Sequence, residues 1–118
     1  MNTCTLYGIP NCGTVKKATE WLKANNIAFE WHDYKKNGIS DQKVAHWLEQ
    51  YPWERLINRA GTTWKKLSEQ EKTAVTNNAA AALLMTQQTS LIKRPILEIN
   101  DQIVAVGFDA DTYAALYH

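Results

Sequence analysis

The sequence predicts an α/β fold in which four strands form one mixed sheet. In the first 35 residues an apolar strand, a helix and a second strand follow one another, and a helical crossover implies parallel pairing. Near the carboxyl end, two apolar runs flank a short polar turn, which is typical of an antiparallel hairpin. A parallel pair joined to an antiparallel pair gives a four-stranded mixed sheet with helices on both faces.

The first strand is predicted over Thr3 to Gly8, and a helix follows from about Gly13. The next run, residues 28–34, alternates with a period of two and is predicted as the second strand. This alternation places Phe29 and Trp31 on one face of the sheet.

A helical segment follows the second strand. Residues 35–38 read as a polar loop, after which Ser40 can cap a helix that Pro52 ends. A short turn over residues 53–57 and a loop over residues 58–61 come next. The apolar residues of the capped helix recur at the spacing of one buried face: Val44, Trp47, Leu48 and Tyr51.

Two more helices are predicted before the hairpin. Ser68 and Glu71 have the spacing of a capping box, which opens a helix through Val75. Asn78 can cap an alanine-rich helix that runs to about Met85, and its small side chains allow close packing.

The hairpin strands are predicted over Ile96 to Ile99 and Ile103 to Val106, with residues 100–102 as the turn. Asp109 can then cap a last short helix. The sequence is therefore expected to form a single domain over residues 1–118, with a sheet-bearing core at about 1–38 and 90–118 and a helical insert at about 39–89.

Composition limits the functional classes. The 118 residues are 45% hydrophobic with a formal net charge of +1, so the charge supplies no long-range attraction for nucleic acid or acidic membranes. The longest apolar run, Ala79 to Met85, is far shorter than the ~20 residues of a membrane span. The amino terminus lacks the pattern of a signal peptide. A cytoplasmic protein is expected.

Cys12 is the candidate reactive residue. It lies between the first strand and the start of a helix, where unpaired N–H groups and the helix dipole favour a thiolate over a thiol. Since the thiolate is the nucleophile, this position predicts thiol chemistry. The alternative is a buried cysteine that only fills the core, which would need neither the Pro-Asn turn before it nor the glycine after it.

The chain predicts a monothiol site. Cys4 lies near the start of the first strand, and its Cα should be more than about 10 Å from that of Cys12, beyond the reach of a disulfide. Cys4 is expected to be a buried strand residue. Val15 occupies the place of the second cysteine in a Cys-x-x-Cys pair. Catalysis would therefore need an external thiol to resolve any mixed disulfide.

Four segments together carry a resemblance to a known family. They are Tyr7 to Thr14 (YGIPNCGT), Ile57 to Trp64 (INRAGTTW), Leu91 to Leu97 (LIKRPIL) and Val106 to Asp109 (VGFD). In this order they resemble the arsenate reductase (ArsC)/Spx family, most closely its YffB branch, over essentially the whole chain. The resemblance implies a thioredoxin-like fold of the glutaredoxin type, with a helical insertion.

The resemblance also implies roles for individual residues. Cys12 matches the nucleophilic cysteine of the family, and Arg59 and Arg94 match two arginines that hold an oxyanion or glutathione. Arginine suits such a site because its planar fork makes two charge-assisted bonds to one anion. Either arginine alone could instead be a solvated surface cation. Gly107 stands where the arsenate reductases carry a third arginine, which argues against efficient arsenate reduction.

Further groups are expected at the site. Pro95 matches the proline that is cis in thioredoxin-like folds and lies beside the active cysteine. Thr14 and the N–H groups of Gly13 to Val15 are expected to stabilise the thiolate or a bound oxyanion, although Thr14 could also be simply a helix-start residue. No spacing of histidines or cysteines indicates a metal site, and no bound cofactor is expected.

The expected function is that of a glutathione-dependent thiol/disulfide reductase with a single nucleophilic cysteine. Glutathione would be the co-substrate, and glutathione or glutathionylated thiols would be the partners, with no direct contact to nucleic acid or membrane. Two alternatives remain open. One is an Spx-like regulator that binds the RNA polymerase alpha subunit as its protein partner. The other is a low-efficiency, glutaredoxin-linked arsenate reductase.

Overall fold

The computed structural model describes residues 3–117 and divides them into two compact units. The first unit comprises the chain up to Asn37 together with the segment from Arg94 onward. The second unit comprises Gly38–Lys93. The segment predicted as a helical insert, residues 39–89, falls within the second unit.

The sheet of the first unit has four strands: β1 (Cys4–Gly8), β2 (Glu30–Asp33), β3 (Ile96–Ile99) and β4 (Gln102–Val106). Their spatial order is β2-β1-β3-β4. β1 pairs in parallel with β2 and antiparallel with β3, and β3 pairs antiparallel with β4. The predicted four-stranded mixed sheet is therefore confirmed.

Eight α-helices and one 3₁₀ turn occur in residues 3–117. They are α1 (Gly13–Ala24), α2 (Tyr34–Asn37), α3 (Asp41–Gln50), α4 (Trp53–Leu56), α5 (Thr62–Lys65), α6 (Glu69–Thr73), α7 (Asn78–Gln87), the 3₁₀ turn Thr89–Leu91, and α8 (Ala110–Leu116).

The core of the first unit lies between α1, α8 and one face of the sheet. Leu6 of β1 pairs with Leu97 of β3, and both side chains are fully buried. The rings of Trp21 and Tyr113 meet edge to face at 5.5 Å between centroids, which joins α1 to α8. The buried members of this cluster are Cys4, Leu6, Ala18, Leu22, Leu97, Ala105 and Tyr113.

The second strand is shorter than predicted. It covers Glu30–Asp33 instead of residues 28–34, and residues 34–37 form a helical turn where a strand end and a polar loop were expected. The cause is a local capping contact, because the Asp33 carboxylate accepts hydrogen bonds from the backbone N–H groups of Lys35 at 2.8 Å and Lys36 at 3.3 Å.

The hairpin turn is one residue tighter than predicted. Asn100 and Asp101 alone form the loop, with φ of 52° and 66°, and Gln102 already belongs to β4. Two consecutive left-handed residues are the geometry of a type I′ turn, whose twist matches that of the flanking strands. Asn100 also joins the turn to the first strand, since its side-chain oxygen accepts from the Thr3 N–H at 2.9 Å.

The caps of the second unit follow the sequence with two corrections. Ser40 caps α3, and the Ser68–Glu71 capping box is complete, with both reciprocal bonds at 3.0 Å. The helix after this box ends at Thr73 and does not reach Val75. The alanine-rich helix is capped by the preceding residue, Asn77, whose side-chain oxygen accepts from the Ala80 N–H at 2.9 Å, and it extends to Gln87.

Candidate active site

Cys12 occupies the N-cap position of α1. β1 ends at Gly8, residues 9–11 turn the chain, and Cys12 is extended with φ of −104° and ψ of 124°. Its carbonyl oxygen accepts the first helical hydrogen bond, from the Lys16 N–H at 3.0 Å. The side chain is half-buried, so the sulfur lies at the end of the helix where backbone N–H groups have no helical partner.

Gly8 brings the strand close to this helix. A Cβ atom at Gly8 would lie 2.7 Å from Cγ2 of Val15, nearer than nonbonded carbons approach one another. Only glycine therefore permits this distance between the end of β1 and the first turn of α1. This close approach of β1 to α1 flanks the turn that carries Cys12.

The surroundings of Cys12 favour its thiolate. Partial burial raises the pKa of the thiol, but the N–H of Val15, the guanidinium of Arg94 and the N–H of Thr14 together lower it below its ordinary value. The Cys12 side chain makes no capping hydrogen bond at the start of α1. The lowered pKa predicted for this position follows from its surroundings.

Arg94 acts on Cys12 within the first unit, and Pro95 follows Arg94 in the chain. Arg94 is half-buried, and its side chain acts on the Cys12 sulfur both as a hydrogen-bond donor and as a positive charge. The Arg94–Pro95 peptide bond is cis, as the resemblance implied. The Pro95 carbonyl oxygen accepts a hydrogen bond from the Gly107 N–H at 2.8 Å. Gly107, the position of the missing third arginine, is therefore a direct neighbour of this loop.

Gly13 and Thr14 begin α1, and both are exposed. The N–H groups of Thr14 and Val15 act on the sulfur. This agrees with N-cap geometry, in which the cap side chain reaches the second and third helical N–H groups. Apart from its chain neighbours and the backbone of its own helix, no described residue has an atom within 4 Å of a Cβ placed on Gly13, which leaves this end of the helix open to approach.

Arg59 belongs to the second unit. It is exposed on the loop after α4, and its guanidinium carbon lies 5.7 Å from the centroid of the Trp53 ring. The neighbouring Asn58 anchors this loop, because its N–H donates to the Leu91 carbonyl at 2.7 Å. Arg59 is thus a cation on an ordered loop, whereas Cys12, Thr14, Arg94 and Pro95 are grouped within the first unit.

Sequence analysis missed a buried polar cluster near Arg94. The Tyr7 hydroxyl donates to Oε1 of Glu98 at 2.9 Å, and Glu98 is only 2% exposed. The fully buried Tyr34 lies 6.2 Å from Tyr7 between ring centroids. Burial and the charges of Tyr7 and Glu98 raise the pKa of Tyr34, while Arg94 acts in the opposite direction. A carboxylate inside the apolar run Ile96–Ile99 was the available signal.

Cys4 has a different environment. It is 7% exposed in β1, and its Sγ lies 3.2 Å from the hydroxyl oxygen of Tyr117. Burial raises the pKa of Cys4, and the hydrogen bond from Tyr117 offsets this only in part. The expectation of a buried strand cysteine is confirmed.

Neither a cluster of metal-ligating side chains nor a membrane-spanning helix occurs in residues 3–117. Within that range no group of three or more histidine, cysteine, aspartate or glutamate side chains is placed to hold a metal ion. None of the helices in the same range combines the length and apolar character that a membrane span needs.

Comparison with known proteins places this site in context. The chain is 45% identical to a solved structure named YFFB protein, with a TM-score of 0.89, and the match covers 96% of this chain and 97% of the other. It is 39% identical over 113 residues to an uncharacterised protein of Haemophilus influenzae, covering 96% and 97% of the two chains.

A more distant relative is a regulator. The global transcriptional regulator Spx of Lactiplantibacillus plantarum is 25% identical over 108 residues, which cover 90% of this chain and 80% of Spx. The model of the ArsC family matches residues 7–116, a range that includes Cys12, Arg59, Arg94 and Gly107. The chain therefore belongs to the ArsC family.

Proposed function

We propose that this protein is a glutathione-dependent thiol/disulfide reductase in which Cys12 is the only nucleophile. One observation carries the proposal. The Cys12 sulfur lies at the start of α1 beside the Arg94 guanidinium, and these surroundings lower the pKa of the thiol. A lowered pKa increases the fraction of thiolate at a given pH, and the thiolate attacks disulfide sulfur far faster than the thiol does.

The reaction starts from a mixed disulfide between glutathione and a protein thiol. The Cys12 thiolate attacks the glutathione sulfur, the original S–S bond breaks, and the protein leaves as a thiolate that takes a proton from water. A second glutathione thiolate then attacks the sulfur of the glutathione bound to Cys12, which forms glutathione disulfide and restores the Cys12 thiolate. The protein disulfide is reduced and two glutathione units end as the oxidised product, so no second cysteine at Val15 is required.

In this proposal the arginines and the start of α1 bind glutathione. Glutathione carries two carboxylates, and Arg94 is suited to bind one of them with paired charge-assisted hydrogen bonds. The family resemblance assigns Arg59 the same kind of contact. The N–H groups at Gly13 and Thr14 face the same end of the helix and favour negative charge there. Pro95 fixes the chain direction between Arg94 and β3.

Glutathione titration followed by NMR tests the binding step. Amide signals of Cys12, Thr14 and Arg94 should shift, and Arg59→Gln should weaken the affinity roughly tenfold, the loss expected for one charge-assisted hydrogen bond. Arg55→Gln is the matched control, because Arg55 also lies over an aromatic ring, that of Tyr51, at 5.1 Å. Equal losses for both variants, or no shifts near Cys12, would contradict the assignment.

Turnover of the mixed disulfide between glutathione and 2-mercaptoethanol tests the chemical step. We expect turnover that depends on glutathione concentration and on Cys12. A protein that binds glutathione but leaves this disulfide intact would refute the reductase.

The similarity to the global transcriptional regulator Spx supports a second candidate function, that of a transcriptional regulator. The RNA polymerase alpha subunit is the partner we propose for it. Val15 stands where a Cys-x-x-Cys pair would have its second cysteine. Capture of the purified alpha subunit by both the wild type and Cys12→Ser would favour this function over the reductase.

Membership of the ArsC family supports arsenate reduction as a third candidate. Gly107 has φ of 84°, and within residues 3–117 no atom outside Gly107 and its two chain neighbours lies within 4 Å of a Cβ placed there. Gly107→Arg therefore has room for the side chain but carries a backbone strain of about 1–2 kcal/mol. If this variant, once shown to be folded, gains no arsenate turnover, the missing arginine does not explain the difference from arsenate reductases.

A further inference from the structure

A groove of about 780 Å³ lies beside α1 in the first unit. Val15 of α1 forms one wall, and Ile27, Phe29 and Trp31 on the way into β2 form the other. Trp31 is 41% exposed, one of two large apolar side chains in residues 3–117 that are prominently exposed. The volume and apolar lining are those of a binding site, and we refer to this surface as the α1–β2 groove.

The polar side chains of the groove all come from one rim. Lys16, Glu20 and Lys23 follow each other along α1 at intervals of about one helical turn. The rim thus alternates positive, negative, positive, with a net charge of +1. An occupant with acidic groups at both ends and an apolar group between them matches this order of charges.

The groove is lined by residues on both sides of the reactive cysteine in the sequence, although Cys12 itself does not line it. Pro10 and Val15, two residues before and three residues after Cys12, both line it. The N–H of Val15 acts on the Cys12 sulfur while its side chain forms part of the groove wall. The ring of Trp31 lies 3.4 Å from the position of a Cβ on Gly8, so the exposed aromatic lies beside the same turn.

The length of the groove indicates a short segment of extended chain. Val15 and Lys23 are eight residues apart on α1, which is about 12 Å along a helix. At about 3.3 Å per residue, an extended segment of three to four residues spans this distance. A small ligand of this size would need polar groups that converge on it to fix its orientation, whereas the charged groups here lie along one exposed rim.

We propose that the α1–β2 groove binds three to four residues next to the modified cysteine of a glutathionylated substrate protein. An apolar side chain of that segment packs against Phe29 and Trp31, and acidic side chains lie against Lys16 and Lys23. This substrate preference rests on the proposed reductase function of Cys12. The two parts of the substrate then bind at different places: the arginines hold the glutathione, and the groove holds the protein segment.

Two glutathionylated heptapeptides test the preference. The acidic peptide is Asp-Phe-Asp-Cys-Asp-Phe-Asp, and the basic peptide replaces each aspartate with lysine. For each protein variant, kcat/KM for a peptide is divided by kcat/KM for the mixed disulfide of glutathione and 2-mercaptoethanol, so that changes at Cys12 itself cancel. The wild type should prefer the acidic peptide.

Charge reversal on the rim gives the sharper result. Lys23→Glu should lower the ratio for the acidic peptide roughly three- to tenfold and raise it for the basic peptide, the size expected for exposed charge pairs. Lys17→Glu is the matched control, because Lys17 is an exposed lysine of α1 that does not line the groove. Trp31→Ala should lower the ratio for both peptides roughly tenfold through lost apolar contact.

The outcomes separate the two proposals. Equal ratios for both peptides in the wild type, Lys23→Glu and Trp31→Ala would overturn the groove assignment while the reductase stands.

If no disulfide is turned over, the reductase fails, and the acidic peptide is then titrated into Cys12→Ser by NMR. Shifts at Phe29 and Trp31 would support the groove, and their absence would overturn it. Binding of 1-anilinonaphthalene-8-sulfonate there without any peptide binding would assign the groove to small apolar anions and refute the proposal.

Discussion

The two cysteines of this chain differ in the direction in which the fold shifts the pKa of the thiol. Cys4 lies within β1, where burial raises the pKa of its thiol. Cys12 lies eight residues later at the start of α1, where Val15, Arg94 and Thr14 lower the pKa below its ordinary value against the effect of partial burial. The difference between them is made by backbone N–H groups and one guanidinium.

This contrast shows why position in the fold decides which thiol reacts. Cys4 begins β1, where the backbone pairs with β3, and its Sγ lies 3.2 Å from the hydroxyl oxygen of Tyr117. At a helix start the N–H groups have no helical partner and remain available to a sulfur anion. Only Cys12 therefore combines exposure with stabilisation of the thiolate.

The largest expected effect is on disulfide turnover, which should depend on Cys12 and not on Cys4. Cys12→Ser should abolish turnover of glutathione mixed disulfides, because no other nucleophile lies at the start of α1. Cys4→Ala should retain turnover, because Cys4 is buried in β1. The measurement is steady-state kinetics on both purified variants, and activity that survives in Cys12→Ser but not in Cys4→Ala would reverse the assignment.

Removing the guanidinium should make Cys12 more like an ordinary thiol. Arg94→Gln raises the pKa of Cys12 and weakens glutathione binding roughly tenfold to a hundredfold, the cost of one or more charge-assisted hydrogen bonds. Arg94→Lys should lie between Arg94→Gln and the wild type, since it keeps the charge but loses the planar fork. Isothermal titration with glutathione ranks the three proteins, and equal affinities would remove Arg94 from the site.

The strand-to-helix contact gives a prediction on stability. Gly8→Ala forces a methyl group to within 2.7 Å of Val15 and should lower the free energy of unfolding by about 1–3 kcal/mol. Gly13→Ala is the matched control, because a Cβ there meets no described atom within 4 Å apart from its chain neighbours and the backbone of its own helix, and it should be neutral or stabilising. Urea unfolding of both variants measures the difference, and equal stabilities would mean that the Gly8 contact does not position α1.

A smaller effect concerns the environment of Cys4. Tyr117→Phe removes the hydroxyl that lies 3.2 Å from the Cys4 sulfur, and we expect a loss of about 1 kcal/mol in the free energy of unfolding. The pKa of Cys4 should rise further, because this hydrogen bond lowers it. Alkylation of Cys12 should stay at its wild-type rate. A faster reaction at Cys4 would contradict the account.

The smallest effect is the pH dependence of stability, and its sign differs between the two thiols. The pKa of Cys12 is lower in the folded protein than in the unfolded chain, where it is about 8.5. This difference stabilises the folded protein fully above pH of about 8.5, and the stabilisation is lost as pH falls through the pKa of the folded protein. The raised pKa of Cys4 contributes stability below about 8.5 that is lost as pH rises. Relative to wild type, Cys12→Ser should thus become less stable with rising pH, and Cys4→Ala should become more stable. Urea unfolding at several pH values gives both slopes, and equal slopes would contradict the contrast.

Local patterns in the sequence were enough to predict most elements and the position of Cys12. The capping box at Ser68 and Glu71 needs only its own four residues, and the placement of Cys12 needs only the strand, turn and helix around it. Two of the errors occur where neighbouring residues compete for the same role. Asp33 caps a helical turn that ends β2 early, and Asn77 caps α7 although Asn78 has the same side chain.

The buried polar cluster could not be predicted from local patterns. Tyr7 and Glu98 are 91 residues apart and meet only because β1 and β3 pair in the observed register. The same limit applies to Arg94 beside Cys12, which sequence reasoning reached through family resemblance and not from spacing. Contacts of this kind depend on strand pairing, which a periodic pattern predicts as a type but not as a register.

The most direct test of the central claim is the rate of alkylation of Cys12 by iodoacetamide as a function of pH, in the Cys4→Ala background with mass-spectrometric detection. The lowered pKa predicts a midpoint below the value of about 8.5 for an unperturbed thiol, and a midpoint that moves upward in Arg94→Gln. A midpoint at or above 8.5, unchanged by Arg94→Gln, would contradict the assignment of Cys12 as an activated nucleophile.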